Sequence, residues 1–215
     1  MKLYGYWRSS AAFRIRIALN LKRLDYEDVP VNLVQGGGQQ FSKGYLAMNP
    51  QARVPTFVEG DLNLGQSMAI VEYLEEKYPQ PPLLPATVED RAVARQIAQI
   101  IACDVHPLNN VRVLRYLEEK LGADEQSRNA WYSCWVHDGL RAIEAILQGR
   151  ASHGPFCMGE RVSVADVFLI PQLYNAHRFN VPVDDCPRLL AIEGVCLDLP
   201  AFQRALPEHQ PDASR

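Results

Sequence analysis

A small α/β unit followed by an all-helical unit is the fold this sequence predicts, and three observations predict it. Short runs of alternating apolar residues, bounded by Gly and Pro, fall in the first part of the chain. From residue 89 onward the apolar residues recur at intervals of three and four instead. Between the two regions stands Pro79-Gln80-Pro81-Pro82, a linker signal that sets a boundary near residue 84. The expected domains are residues 1–84 and 85–215.

Residues 2–6 read as a strand, and Trp7-Arg8-Ser9-Ser10 as a turn into a helix over 11–22, where Ile15, Ala18, Leu19 and Lys22 stack at helical spacing. Val29, Val31 and Leu33 alternate like a second strand. Gly36-Gly37-Gly38 ends it with a flexible loop before a segment at 41–48. Asn49-Pro50 and Val54-Pro55 punctuate the next stretch. Residues 56–58 and 62–64 form a hairpin across Glu59-Gly60-Asp61, and 67–78 is a helix. The order β-α-β-α-β-β-α buries its apolar faces as a mixed sheet with helices on both sides.

In the second unit, 89–119 and 125–147 read as helical. Ser163-Val164-Ala165-Asp166 forms a capping box that starts another helix. Trp131, Tyr132 and Trp135 are spaced for helix packing and read as core or interface residues. The residues after Pro207 read as an exposed tail.

Composition narrows the function. The 215 residues are 47% hydrophobic and 22% charged with a formal net charge of -3, so no global basic field exists to hold nucleic acid or an anionic membrane. No stretch approaches the length of a membrane span, and the chain is expected to be cytoplasmic. The five cysteines, Cys103, Cys134, Cys157, Cys186 and Cys196, form no C-x-x-C pair, zinc spacing or even disulfide set, and read as buried thiols in a reducing compartment. His106 stands before a proline with no second ligand at helical spacing, so no metal site is expected.

Two helix starts carry the candidate chemistry. Free amides and the positive helix end at Arg8-Ser9-Ser10 favour an anion, and a hydroxyl there can donate to a thiolate and lower its pKa. Gln66-Ser67 offers a second helix start, with the bend at Val54-Pro55 upstream. A hydroxyl at either place serves equally as a plain helix cap.

The run Tyr6-Trp7-Arg8-Ser9-Ser10-Ala11-Ala12-Phe13-Arg14-Ile15-Arg16-Ile17-Ala18-Leu19 resembles the active-site signature of the zeta-class glutathione transferases, the maleylacetoacetate isomerase family. The resemblance continues through Val31-Asn32-Leu33, Gly37-Gly38-Gln39-Gln40-Phe41-Ser42-Lys43, Val54-Pro55, Gln66-Ser67, His106-Pro107-Leu108-Asn109-Asn110, Val164-Ala165-Asp166 and Arg178-Phe179, so it covers essentially the whole chain. It implies the glutathione-transferase fold: an α/β thioredoxin-like N-terminal domain that binds glutathione, plus an all-α C-terminal domain that completes the pocket. It also implies that Ser9, with Ser10 beside it, stabilises the glutathione thiolate, and that Gln40, Val54, Pro55, Gln66, Ser67, His106 and Asn110 contact glutathione. The Val54-Pro55 bond is expected to be cis.

The implied reaction is reversible addition of the glutathione thiolate to a cis-unsaturated diacid, rotation, and release of the trans isomer. Arg8, Arg112 and Arg178 are the candidate carboxylate holders, because arginine binds carboxylates bidentately. The family pattern runs Ser-Ser-Cys where this chain has Ser9-Ser10-Ala11, so no mechanism needing a protein thiol there applies. Maleylpyruvate isomerisation, general transfer of glutathione to small alpha-halo acids, and a non-catalytic binding role are the alternatives. A homodimer is expected from the resemblance.

Overall fold

The computed structural model describes residues 1–150 and 154–213. They form two compact units: Met1–Leu83 joined by the segment from Leu197 onward, and Leu84–Cys196.

The first unit is built on a four-stranded sheet in the order β2-β1-β3-β4. Its strands are β1 (Lys2–Gly5), β2 (Glu27–Pro30), β3 (Thr56–Glu59) and β4 (Leu62–Leu64). β1 runs parallel to β2 and antiparallel to β3, and β3 is antiparallel to β4. Parallel pairing of β1 with β2 requires a crossover, and α1 (Ser10–Leu21) supplies it. Every residue of α1 from Ser10 to Leu19 is buried, because α1 packs on α3 (Ser67–Lys77) and also on α9 (Pro200–Ala205) near the C-terminus. Leu3, Phe13, Ile15, Ile17, Phe57, Ile70 and Leu74 form the core, and burying each stabilises the fold by about 1.5–3 kcal/mol.

β2 ends three residues before the expected Leu33. After Val31 the chain is taken over by Asn32, whose Oδ1 accepts from the Val34 and Gln35 amides at 2.9 Å each, a local bond that competes with the strand ladder. Short 3-10 turns follow at Gln35–Gly37 and Gln39–Phe41, and α2 spans Lys43–Met48. Lys22, whose side chain is wholly buried, donates to Glu75 and to the Tyr78 and Pro81 carbonyls at 2.7–3.1 Å, fastening α1 to the exit of α3.

The second unit contains α4 (Val88–Gln99), α5 (Val111–Leu121), α6 (Glu125–Gln148), α7 (Val164–Arg178) and α8 (Pro187–Leu197). The stretch read as helical over 89–119 is divided in the structure. A wide-turned π segment at Ile100–Val105 precedes His106-Pro107, and Asn110 caps a new start at α5. Gly139 of α6 makes the close approach possible: a Cβ there would lie 2.1 Å from Val105 Cγ2. α7 is the buried centre of this unit. Its capping box is present, with Asp166 accepting from the Ser163 amide at 2.7 Å and from the Cys157 amide at 2.8 Å. Glu144 of α6 accepts from the Arg188 and Leu189 amides at 3.1 and 3.0 Å, capping the N-terminus of α8 from outside.

Four expectations need correction. Residues 208–213 are not a loose tail, for Gln210 is buried and Asp212 accepts from the Trp7 amide, because α1 lacks a solvent face and needs cover; residues 214–215 lie outside the described residues. Cys157, Cys186 and Cys196 are buried, but Cys103 and Cys134 are exposed. Of the three aromatic residues expected to pack, Tyr132 is buried and Trp135 is exposed. The segment from Leu197, which the sequence grouped with the helical domain, makes its contacts with the first unit.

Candidate functional site

The strand directions assemble the site in the first unit. Since β1, β2 and β4 all run opposite to β3, the exits of those three strands and the entrance of β3 lie at one end of the sheet. Ser9 and Ser10 follow β1, Gln40 follows β2, Val54-Pro55 precedes β3, and Gln66-Ser67 follows β4. Residues scattered over sixty positions thus share the carboxyl end of the parallel strands, where α/β sheets place ligands.

Ser9 is the N-cap of α1. Its amide donates to Tyr6 O at 2.8 Å, and its Oγ accepts from the Ala12 amide at 3.2 Å. A hydroxyl that accepts still has its own hydrogen to donate, so the cap role and an anion-stabilising role coexist. Ser10 opens the helix and is buried. Arg8 is exposed, with its guanidinium 4.1 Å from the Trp7 ring centroid.

At the other helix start, Gln66 has φ 66° and ψ 112°, a left-handed conformation that a non-glycine residue adopts only when its surroundings impose it. Its Nε2 donates to Gln51 Oε1 at 2.8 Å. Ser67 is buried, and its Oγ accepts from Arg14 Nη1 at 3.1 Å. The Val54-Pro55 bond is cis. Its loop is organised by Asn49, which donates to Arg53 O at 2.9 Å and to Thr56 Oγ1 at 3.0 Å. The Tyr45 hydroxyl also donates to Arg53 O, at 2.6 Å, and burial raises its pKa. Gln40 lies under the glycine loop. Gly38 has φ 103°, and a Cβ there would come within 2.5 Å of the Gln40 carboxamide, so only glycine fits. Gln40 Oε1 is buried with no hydrogen-bond partner among the described residues.

In the second unit, His106 closes the π segment and Asn110 caps α5, its Oδ1 accepting from the Arg112 amide at 3.1 Å. Arg112 is exposed in the first turn of α5. Arg178 is exposed at the end of α7, 5.0 Å from the Phe179 ring centroid, and Phe179 stacks on Tyr132 at 4.1 Å. His177 beside it meets Glu193 at 2.8 Å.

Sequence reading missed Arg14, Arg16, Asn49 and Gln51 as parts of the site's frame. For the arginines a signal existed: Ala11-Ala12-Phe13, Ile15 and Ile17-Ala18-Leu19 leave the helix no polar face, so Arg14 and Arg16 must turn inward. Asn49 and Gln51 carry no such mark.

The donor set fits glutathione. A thiolate and two carboxylates suit the helix starts with their hydroxyls, and the ligand's amide and ammonium donors suit the unpartnered, buried Gln40 Oε1. Among the described residues no cluster of three or more His, Cys, Asp or Glu could hold a metal, and no helix is long and apolar enough to cross a membrane.

Comparison with known proteins agrees with this fold. The N-terminal domain model of glutathione S-transferase matches residues 1–76, and its C-terminal domain model matches residues 112–192, so the fold is of the glutathione-transferase class. The chain is 47% identical over 99% of its length to a maleylacetoacetate isomerase of Pseudomonas aeruginosa, covering 98% of that protein. It is 44% identical over 100% of both chains to a maleylpyruvate isomerase of a Ralstonia species. A maleylacetoacetate isomerase of Methylobacterium extorquens, solved with malonate and glutathione bound, is 41% identical over 100% of both chains with a TM-score of 0.95. The chain belongs to the zeta-class glutathione transferase, or maleylacetoacetate isomerase, family.

Proposed function

We propose that this chain is a glutathione-dependent cis-trans isomerase that converts maleylacetoacetate to fumarylacetoacetate. The observation that carries the reading is the Ser9 cap: a hydroxyl at the positive end of a buried helix, with its own hydrogen available to an anion. When bound, glutathione supplies the thiolate that adds reversibly to the cis double bond. Ser9 holds that sulfur as its anion, with Ser10 beside it. Gln66 and Ser67 receive a carboxylate at the start of α3, Val54 and Pro55 offer backbone to the cysteinyl part, and Gln40, His106 and Asn110 complete the set. Arg8, Arg112 and Arg178 hold the carboxylates of the diacid and balance the negative charge that develops on it. With Ala11 in the place of the family's cysteine, the chain itself contributes no thiol at this turn.

Maleylpyruvate is the second candidate substrate, favoured by the Ralstonia relative. The malonate in the Methylobacterium extorquens structure supports a dicarboxylate in either case. The deciding experiment mixes purified protein with each diacid, with and without glutathione, and follows the trans product. Faster glutathione-dependent turnover of maleylacetoacetate supports the reading; preference for maleylpyruvate moves it to the second; turnover of neither sinks both. The chain is further proposed to act in the cytoplasm and as a homodimer, both carried over from the family resemblance, the oligomeric state being checked by light scattering in solution.

A further inference from the structure

The turn that carries Ser9 is held from outside by two side chains, and one of them comes from the far end of the chain. The Ser9-to-Tyr6 bond makes residues 6–9 a β-turn with Trp7 and Arg8 at its centre. Central turn residues have no internal partners for their peptide groups. Trp7 is only 7% exposed, so its N–H and C=O need partners within the protein. The N–H donates to Asp212 Oδ2 at 3.1 Å, and the C=O accepts from Arg16 Nη2 at 3.1 Å. Arg16 is tied to the same C-terminal segment, its Nε donating to Ala205 O at 3.0 Å. Further along α1, Asn20 Nδ2 donates to Ala201 O at 2.9 Å. Because the Trp7 ring faces the Arg8 guanidinium, whatever fixes Trp7 acts on both Arg8 and Ser9.

We propose that the C-terminal segment is a strap for the Ser9 turn, with Asp212 and Arg16 as positioning residues that set where the Ser9 hydroxyl stands against a bound thiol. The inference rests on the reading of Ser9 given above. The charged and titratable groups around the anchor are Arg16 from α1, Tyr26 and Asp28 at β2, Arg204 from α9, and Glu208 and Asp212 from the strap. Burial lowers Arg16 to about 10, while Asp28, Tyr26, Asp212 and Glu208 act to raise it, so the guanidinium stays charged at neutral pH. Asp212 therefore acts on the turn by accepting the Trp7 amide, and Arg16, charged at neutral pH, holds the Trp7 carbonyl on the other side.

The test compares Asp212→Ala, Asp212→Asn and Ser9→Ala in the full chain. Three quantities are measured: amide exchange at Trp7 and Ser9 without ligand, the ultraviolet titration of the thiol of bound glutathione, and kcat and KM for maleylacetoacetate. Asp212→Ala is expected to speed exchange at both amides and to move the thiol titration to higher pH. It should also lower kcat roughly ten-fold, short of the about 10²-fold loss that a displaced reacting group brings. Asp212→Asn keeps an acceptor for the Trp7 amide and recovers most of that loss. A parent-like thiol titration and kcat in Asp212→Ala, alongside a shift of both in Ser9→Ala, reduces Asp212 to a structural brace and overturns the proposal. An unshifted titration in Ser9→Ala removes the reading of Ser9, and the strap's role with it. Should Asp212→Ala not fold, Asp212→Glu displaces the carboxylate by one methylene, and parent-like values there count equally against the strap.

Discussion

Ser9 shows how one residue serves structure and chemistry through different atoms. Its oxygen lone pair accepts from the Ala12 amide, and its hydrogen is directed by whatever anion approaches. Replacing it with alanine removes both. The cap loss costs about 1 kcal/mol of stability, whereas loss of a donor to a developing or bound anion lowers kcat by about 10²-fold. Ser9→Ala is therefore expected to bind glutathione nearly as well as the parent while turning over far more slowly, read by calorimetry and by steady-state kinetics. Arg8 and Arg178 are expected to act on the diacid alone. Replacing either with Met should raise KM for maleylacetoacetate by about ten-fold or more, the equivalent of one charge-assisted hydrogen bond, and leave a neutral electrophile nearly unaffected. Equal effects on both substrates would sink the carboxylate-clamp role. Neither serine nor arginine declares its role by type: serines cap helices and arginines solvate surfaces throughout ordinary proteins. The helix-start position and the long signature run made them legible. Gln66 was legible as a helix start, but its left-handed backbone was not, because that conformation is imposed by the β4 exit and by Gln51, fifteen residues away.

At the scale of elements, α7 depends on Asp166. Its carboxylate takes the Ser163 and Cys157 amides together with the Ser163 hydroxyl, all buried. Burial raises its pKa while those bonds pull it down. Asp166→Ala removes a cap and leaves two buried amides unsatisfied, and is expected to destabilise the chain by about 3 kcal/mol, measured by denaturant unfolding. The capping box was readable because both of its partners lie within four residues. The Glu144 cap on α8 was not, since forty-four residues separate Glu144 from Arg188. The same distinction explains the stretch read as helical over 89–119. Its periodicity was sound, but the π segment reflects the fit of Val105 against Gly139, which no local pattern encodes.

For the whole molecule, glutathione should stabilise the fold by mass action. At one hundred times its dissociation constant the gain is about 2.7 kcal/mol, visible as a rise in thermal midpoint; no rise at that excess would contradict a glutathione site. Acid sensitivity follows from the surface carboxylates. Asp90, Asp124 and Asp185 have pKa values lowered below 3.8, chiefly by hydrogen bonds with Arg150, Ser127 and His137. A carboxyl with a depressed folded value contributes stability above its unfolded pKa, and that contribution is lost as pH falls through the folded value. Thermal stability is thus expected to fall as pH drops below about 4, and Asp90→Asn should flatten part of that decline. Asp28, raised by burial, runs in the opposite sense: its contribution fades as pH rises through its folded value.

The α/β-then-helical order, the starts of α1, α3 and α7, the family and the candidate residues were all legible in the chain, because each rests on local pattern or on a signature run. Long-range contacts were needed to show that strand directions bring Ser9, Gln40, Val54 and Gln66 to one end of the sheet, that Arg14 and Arg16 meet Ser67, Trp7 and Ala205, and that the C-terminal segment returns to bond Trp7. These depend on contacts between residues far apart in the chain. Trp7 and Asp212 are separated by 205 positions, and nothing local at either one specifies the other.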